Sequence, residues 1–145
     1  MRYLYPVLVE RDEDGRYLAT ARDIPEAVAD GESSAKTLRE MSEALGAALA
    51  GYAKEGRVLP EPSVTQPGEH MVPVAALVAA KLALRAAMQA EGMTNVALAE
   101  RLGVSETVVR RLVNPDHDSR LDRVVAALEV LGHSLIIEDA KHVAA

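Results

Sequence analysis

The sequence predicts an α+β protein in two parts: an antiparallel sheet carrying one packed helix over residues 1–70, then an all-α segment over 71–145 that ends in a short strand. Three observations lead there. Apolar residues near the start recur at period two, those from Leu38 to Tyr52 recur every three or four residues, and those after Pro73 fall into four short helical stripes separated by glycine or proline. The chain of 145 residues is 49% hydrophobic and 26% charged, a globular balance sized for one domain or two small ones. No run of eighteen apolar residues is present, which excludes a spanning helix. No basic segment leads into an apolar stretch, so a signal peptide is not expected. Zero cysteines exclude disulfides, thiolate chemistry and cysteine zinc sites, and the expected location is the cytoplasm.

The elements follow in order. Arg2 to Glu10 (RYLYPVLVE) places Tyr3, Tyr5, Val7 and Val9 on one face of a strand, with Pro6 marking an edge or a bulge. Asp12-Glu13-Asp14-Gly15 is a turn, and Arg16 to about Ala21 completes a hairpin. Asp23-Ile24-Pro25 leaves the sheet, and Ala29-Asp30-Gly31 reads as a further turn. Ser33 caps a helix bearing Leu38, Met41, Leu45, Leu49 and Tyr52, closed by Gly56. Glu61 to Glu69 is a proline-containing loop, with Val58-Leu59 and His70–Val74 as further candidate strands. Pro73 sits near a helix start, and Ala75 to Glu91 is helical, with Leu77, Leu84 and Met88 on one stripe. Thr94 caps a helix to Leu102, and Ser105 caps another to Val113. Ser119 and Asp122 form a capping pair for a helix carrying Leu121, Val124, Val125, Leu128 and Leu131. Ser134 to Glu138 reads as a short strand, and residues 139–145 as a tail.

The charge is uneven. Residues 1–69 carry 8 Lys and Arg against 13 Asp and Glu, whereas residues 70–145 carry 8 against 9, for a net charge of −6. That balance excludes a protein that coats nucleic acid by charge alone, and its acidic first part suits a basic partner.

The window Asn95 to Asn114 (NVALAERLGVSETVVRRLVN) is a helix-turn-helix pattern. Ala99 lets the two helices cross closely, Gly103 bends the backbone and Val104 plugs the turn. Val109 and Leu112 pack on Leu98 and Leu102. Ser105, Glu106, Thr107, Arg110 and Arg111 are left facing outward, where hydroxyl and guanidinium groups can read base edges. Arg110 and Arg111 point about 100° apart, so one of the two reaches bases. With Asn95 and Asn114 at the ends of the motif, these are the candidate DNA contacts. Between Asn95 and Arg123 five arginines face five acids, so one copy should bind DNA weakly and two copies are needed.

The four helices around this window resemble the lambda-repressor-like (Cro/C1, XRE) DNA-binding domain. The first half, with RYLYPVLVE, GRYLATARDIP and GESSAKTLREM, resembles the HicB antitoxin family, whose N-terminal domain is a partial ribonuclease-H-like fold. The resemblance implies a type II antitoxin. Its first domain would bind and inhibit a HicA-like mRNA interferase, a small basic ribonuclease, and its second would dimerise and repress the operon. The candidate toxin-facing residues are Asp12, Asp14, Tyr17, Asp23, Pro25 and Asp30. Asp23, Pro25 and Asp30 also have a purely structural reading as turn residues. Many lambda-repressor-like domains open the first motif helix with a phosphate-binding Gln; here that place holds the shorter Asn95.

Enzymatic readings fare worse. Glu10, Asp12, Glu13 and Asp14 lie largely in one turn, whereas two-metal catalysis needs carboxylates converging from separate elements. His70, His117, His133 and His142 show no metal-ligand spacing. The chain has no Phe or Trp and four tyrosines, Tyr3, Tyr5, Tyr17 and Tyr52, too few for an RNA-stacking platform. No cofactor, metal or catalytic residue is expected. Leu135, Ile136 and Ile137 form an apolar run expected to pair with a second copy, the alternative being a return to the chain's own sheet. The other functional reading is a stand-alone transcriptional regulator whose first domain senses a ligand or oligomerises.

Overall fold

The computed structural model describes residues 1–141. The chain packs as two units that divide after Ala75. In the first, β1 (Leu4–Arg11), β2 (Tyr17–Thr20), β3 (Val28–Gly31) and β4 (Glu69–Pro73) form an antiparallel sheet in the order β3-β2-β1-β4. One helix, α1 (Ser34–Lys54), lies on one face of it. The expected boundary at residue 70 falls inside β4, which pairs along β1 from Leu4↔Pro73 to Leu8↔Glu69. Pro73 therefore ends a strand rather than opening a helix.

The alternation read from the sequence holds in β1. Tyr5 and Val7 are fully buried under α1, on the same face as Ala19 and Val72. On the helix side Leu38, Met41, Leu45, Leu49 and Tyr52 are buried, as their spacing requires. Ser33 caps α1 by accepting from the Lys36 amide at 3.1 Å. Pro6 lies in the half of β1 that β2 does not cover, since that ladder begins at Leu8↔Thr20. β1 is locally an edge there, and a residue without an N–H is tolerated. Leu8, Leu18, Val28 and Met71, on the opposite face, remain exposed.

Ala29-Asp30-Gly31 is not a turn. It belongs to β3, in register Tyr17↔Gly31 to Thr20↔Val28. The reversal falls earlier, where the Ile24 amide bonds Ala21 O and the Ala27 amide bonds Ile24 O. Gly31 is needed for closeness. A Cβ there would lie 2.7 Å from Thr37 Oγ1, on a buried threonine whose hydroxyl donates to Ser33 O at 2.8 Å. Val58-Leu59 forms no strand, and Val58 is exposed.

The proline-containing stretch at 60–68 has no regular structure apart from the turn into β4. Side chains hold it instead. The Tyr5 hydroxyl donates to Pro60 O at 2.7 Å, and burial pushes the phenol pKa up to about 12. Asp23 accepts from the Ser63 amide at 2.8 Å and from its hydroxyl at 2.6 Å. Arg22 grips Glu69 with two nitrogens and donates to Val64 O at 2.6 Å. At the far end of α1, Tyr52 donates to the Glu26 carboxylate while the Arg57 guanidinium lies 3.7 Å over its ring. All four tyrosines belong to this first unit.

The second unit contains α2 (Ala76–Glu91), α3 (Asn95–Leu102), α4 (Glu106–Val113) and α5 (Leu121–Val130). Its core gathers Leu84 and Met88 of α2, Leu98 and Ala99 of α3, Val109, Leu112 and Val113 of α4, and Val124 and Leu128 of α5. Ser119 does not cap α5. The capping position is Arg120, which makes no side-chain capping bond, and the Ser119 hydroxyl is engaged elsewhere. Ser134–Glu138 forms no strand within this chain, because a strand needs a ladder and no described segment supplies one. Leu135 packs against the helical core, while Ile136 and Ile137 are 88% and 78% exposed. Of the expected tail, residues 142–145, including His142, lie outside the described residues. No helix among the described residues is long and apolar enough to cross a membrane.

The β3–α1 approach yields a test. Gly31→Ala is expected to cost about 1–3 kcal/mol by overpacking. In a Thr37→Ala background, which removes the clashing oxygen, the same change should cost clearly less. Urea titrations of the four-member cycle measure this, and additive effects would contradict the close-approach account.

Candidate nucleic-acid interface

Helix α4 has two unlike sides. Val109, Leu112 and Val113 are buried, while Glu106, Thr107, Arg110 and Arg111 are exposed. Ser105 starts the helix, its hydroxyl accepting from the Val108 amide at 3.3 Å. Thr94 does the same for α3, accepting from the Ala97 amide at 3.1 Å. Gly103 joins them in the left-handed region, at φ +69°, where an L side chain would cost about 1–2 kcal/mol. Ala99 is buried in one core with Leu98, Val109 and Leu112. Val104 does not plug the turn. Its amide bonds Ala99 O at 3.0 Å, and its side chain is exposed.

Of the sequence-predicted residues, Glu106, Thr107, Arg110 and Arg111 thus share the exposed side of α4. Glu106 Oε1 lies 3.4 Å from Arg110 Nε, one turn apart on the exposed side. That pair is solvated and weak, so it aims the guanidinium without fixing it. Thr107 and Arg111 flank it. Asn95 is half-buried in the first turn of α3. Asn114 ends α4, and its Oδ1 accepts from the Asp116 amide at 3.0 Å, shaping the turn that leaves the helix.

One residue of this unit was absent from the sequence-based candidates. Lys81 of α2 has no exposed surface. Its Nζ donates to Arg111 O at 2.8 Å, Asn114 O at 2.9 Å and Ser119 Oγ at 2.7 Å. Ser119 Oγ in turn donates to Arg111 O at 3.3 Å. Arg85, one turn along α2, donates to Val113 O at 3.2 Å. The C-terminal carbonyls of α4 are therefore met by two cations, where the helix dipole favours positive charge. Burial lowers the Lys81 pKa and the Asp118 carboxylate opposes that shift. The signal was in the spacing. Leu77, Lys81, Leu84 and Met88 follow one another by four, three and four, so the lysine occupies a core position of the stripe.

The expected toxin-facing residues lie at the two ends of β2. Asp12 Oδ1 accepts from the Asp14 and Arg16 amides, at 2.9 and 2.8 Å, and so builds the β1–β2 turn. Asp14 is exposed in that turn. Tyr17 opens β2 with Arg11 5.9 Å over its ring, and Asp30 pairs with Arg16 at 3.1 Å. Asp23 and Pro25 follow the other end of β2, where Asp23 is spent on Ser63. No group of three or more His, Asp or Glu is arranged to hold a metal among the described residues.

Known proteins give the arrangement a context. Residues 4–83 match a family model described as HicB_like antitoxin of bacterial toxin-antitoxin system. The chain is similar to Antitoxin HicB of Escherichia coli K12, with 32% identity over 131 residues that cover 90% of this chain and 95% of the relative. It is similar to Antitoxin HicB 2 of Photorhabdus laumondii, with 35% identity over 131 residues covering 90% and 92%. Antitoxin HicB of Pseudomonas fluorescens is 31% identical over 127 residues, covering 87% of each chain. Matches over more than half of the chain by the family model, and along nearly all of it by these relatives, place the chain in the HicB-like antitoxin family of bacterial toxin–antitoxin systems.

Proposed function

We propose that the protein is the antitoxin of a two-component system, that its first unit binds and inhibits a small basic ribonuclease of the HicA kind, and that its second unit represses the operon encoding both. The observation that carries the second role is the two-sided α4. A short helix anchored by Val109 and Leu112, capped by Ser105 and bearing Glu106, Thr107, Arg110 and Arg111 outward, has the chemistry to enter a major groove. In this reading the second unit is a lambda-repressor-like helix-turn-helix domain and the first a partial ribonuclease-H-like domain. Arg110 is the base reader, Glu106 selects its direction, and Asn95, Ser105, Arg111 and Asn114 approach the phosphates.

Support for the toxin role is the excess of acid in residues 1–69 and the family to which the chain belongs. A cationic nuclease surface gains encounter rate and register from such a field. The exposed acids of the β1–β2 turn, Glu13 and Asp14, supply it. Asp12 acts there through the turn it builds, and Tyr17, Asp23, Pro25 and Asp30 complete the proposed set. Repression requires two copies, because the motif region has no net positive charge. Exposed Ile136 and Ile137 beside Leu135 are the proposed pairing strand between copies.

Three outcomes are expected. Co-expression of the full chain with the short basic reading frame beside its gene should yield a co-purifying complex and restore growth; free nuclease and continued toxicity would overturn the toxin role. Arg110→Ala should weaken binding to the DNA upstream of the chain's own gene by about 1–3 kcal/mol, and scrambled duplex far less. Equal losses on both, in an anisotropy titration, would make Arg110 a phosphate contact. The pair Ile136→Asp and Ile137→Asp should convert the dimer to a monomer in sedimentation and weaken operator binding; an unchanged dimer would exclude the strand.

A further inference from the structure

The ammonium of Lys81 is matched group for group. It has three N–H donors and three acceptors between 2.7 and 2.9 Å, none of them a carboxylate. Two acceptors are backbone carbonyls at the end of α4. The third, Ser119, belongs to the segment that leaves α4 and returns a bond to Arg111 O. A leucine or methionine at this core position would avoid desolvating a charge but would leave the Arg111 and Asn114 carbonyls without their donor, so what the lysine serves is the end of α4 and not the volume of the core. The apolar contacts of Val109 and Leu112 hold α4 against the core but are indifferent to small slides along its axis. The Arg111 carbonyl, in the last turn of α4, points along that axis, the Asn114 carbonyl belongs to the residue that ends the helix, and hydrogen bonds to both fix position within tenths of an ångström.

We propose that Lys81 is a positioning residue for DNA reading: it fixes α4 along its own axis from behind, so that Thr107 and Arg110 meet base edges in one register. Lys81 touches no base or phosphate itself; it acts through Arg111 O and Asn114 O. Ser119 is the second member of the device, holding the ammonium and the last turn of α4 together. The inference rests on the DNA-reading role proposed above and assigns within it a residue on a different helix, hidden from solvent.

The test compares the full-length wild type with K81M and S119A. Each is titrated against the DNA upstream of its own gene and against a scrambled duplex at one salt concentration, with thermal melting alongside. K81M keeps the side-chain volume and is expected to fold, melting below wild type because two α4 carbonyls lose their donor. Its operator affinity should fall about tenfold, about 1.4 kcal/mol, because α4 then meets the base edges out of register. Its affinity for the scrambled duplex should change less than about twofold, since phosphate charge sets it. S119A should shift the same ratio by about threefold, and it decides the matter if K81M fails to fold. An unchanged operator-to-scrambled ratio in a folded K81M, or in S119A where K81M does not fold, overturns the assignment of Lys81 alone. Equal losses on both duplexes overturn it too, because they mark a general structural role. A wild-type chain that does not distinguish operator from scrambled duplex overturns the DNA-reading role, and this inference with it.

Discussion

The helical unit depends on how α4 is held. Val109 and Leu112 give it a floor, and truncating such a buried leucine to alanine would cost about 2–5 kcal/mol. That burial alone fixes which side of α4 faces out. It leaves the ends to be fixed by polar groups: Ser105 at the start, and Lys81, Arg85 and Ser119 at the finish. The outward residues are then free of structural duty apart from the loose Glu106–Arg110 pair. A face so relieved is available for recognition, which is why the proposed DNA role rests on this helix rather than on the charge of the unit.

The first unit solves a different problem with few large side chains. Its sheet is small, and only one face is covered by α1. The loop at 60–68 is secured to it by polar ties from Tyr5, Arg22 and Asp23 rather than by burial. Two of the acids expected to face a toxin, Asp12 and Asp23, are consumed in this construction. Glu13 and Asp14 remain exposed in the turn and make no such tie in it.

What the sequence disclosed and what it hid follow one rule: local chemistry was legible and distant pairing was not. The caps at Ser33, Thr94 and Ser105 and the apolar stripe of α1 depend on neighbours within four residues, and all stand where the sequence puts them. β3 was hidden because four residues ending in Asp30-Gly31 look like a turn until β2 lies beside them. Ser119 matched a capping pattern but was drawn off by Lys81, thirty-eight residues away. Lys81 itself escaped because an apolar stripe is sought with apolar letters. Ser134–Glu138 carries a strand's composition, but a strand forms only beside a ladder partner, and none of the described residues supplies one. The candidate DNA face was legible for the same reason as the caps: one helical turn fixes what is buried and what is not.

The placement of the tyrosines has a practical corollary. With no tryptophan or phenylalanine in the chain and all four phenols in the sheet-bearing unit, ultraviolet emission is blind to the helical half. Peptide-bond dichroism, by contrast, sees both. Heating one sample under both detectors would follow the sheet-bearing unit and the whole chain separately without cutting it, and a mutation could be assigned to its half by which signal moves.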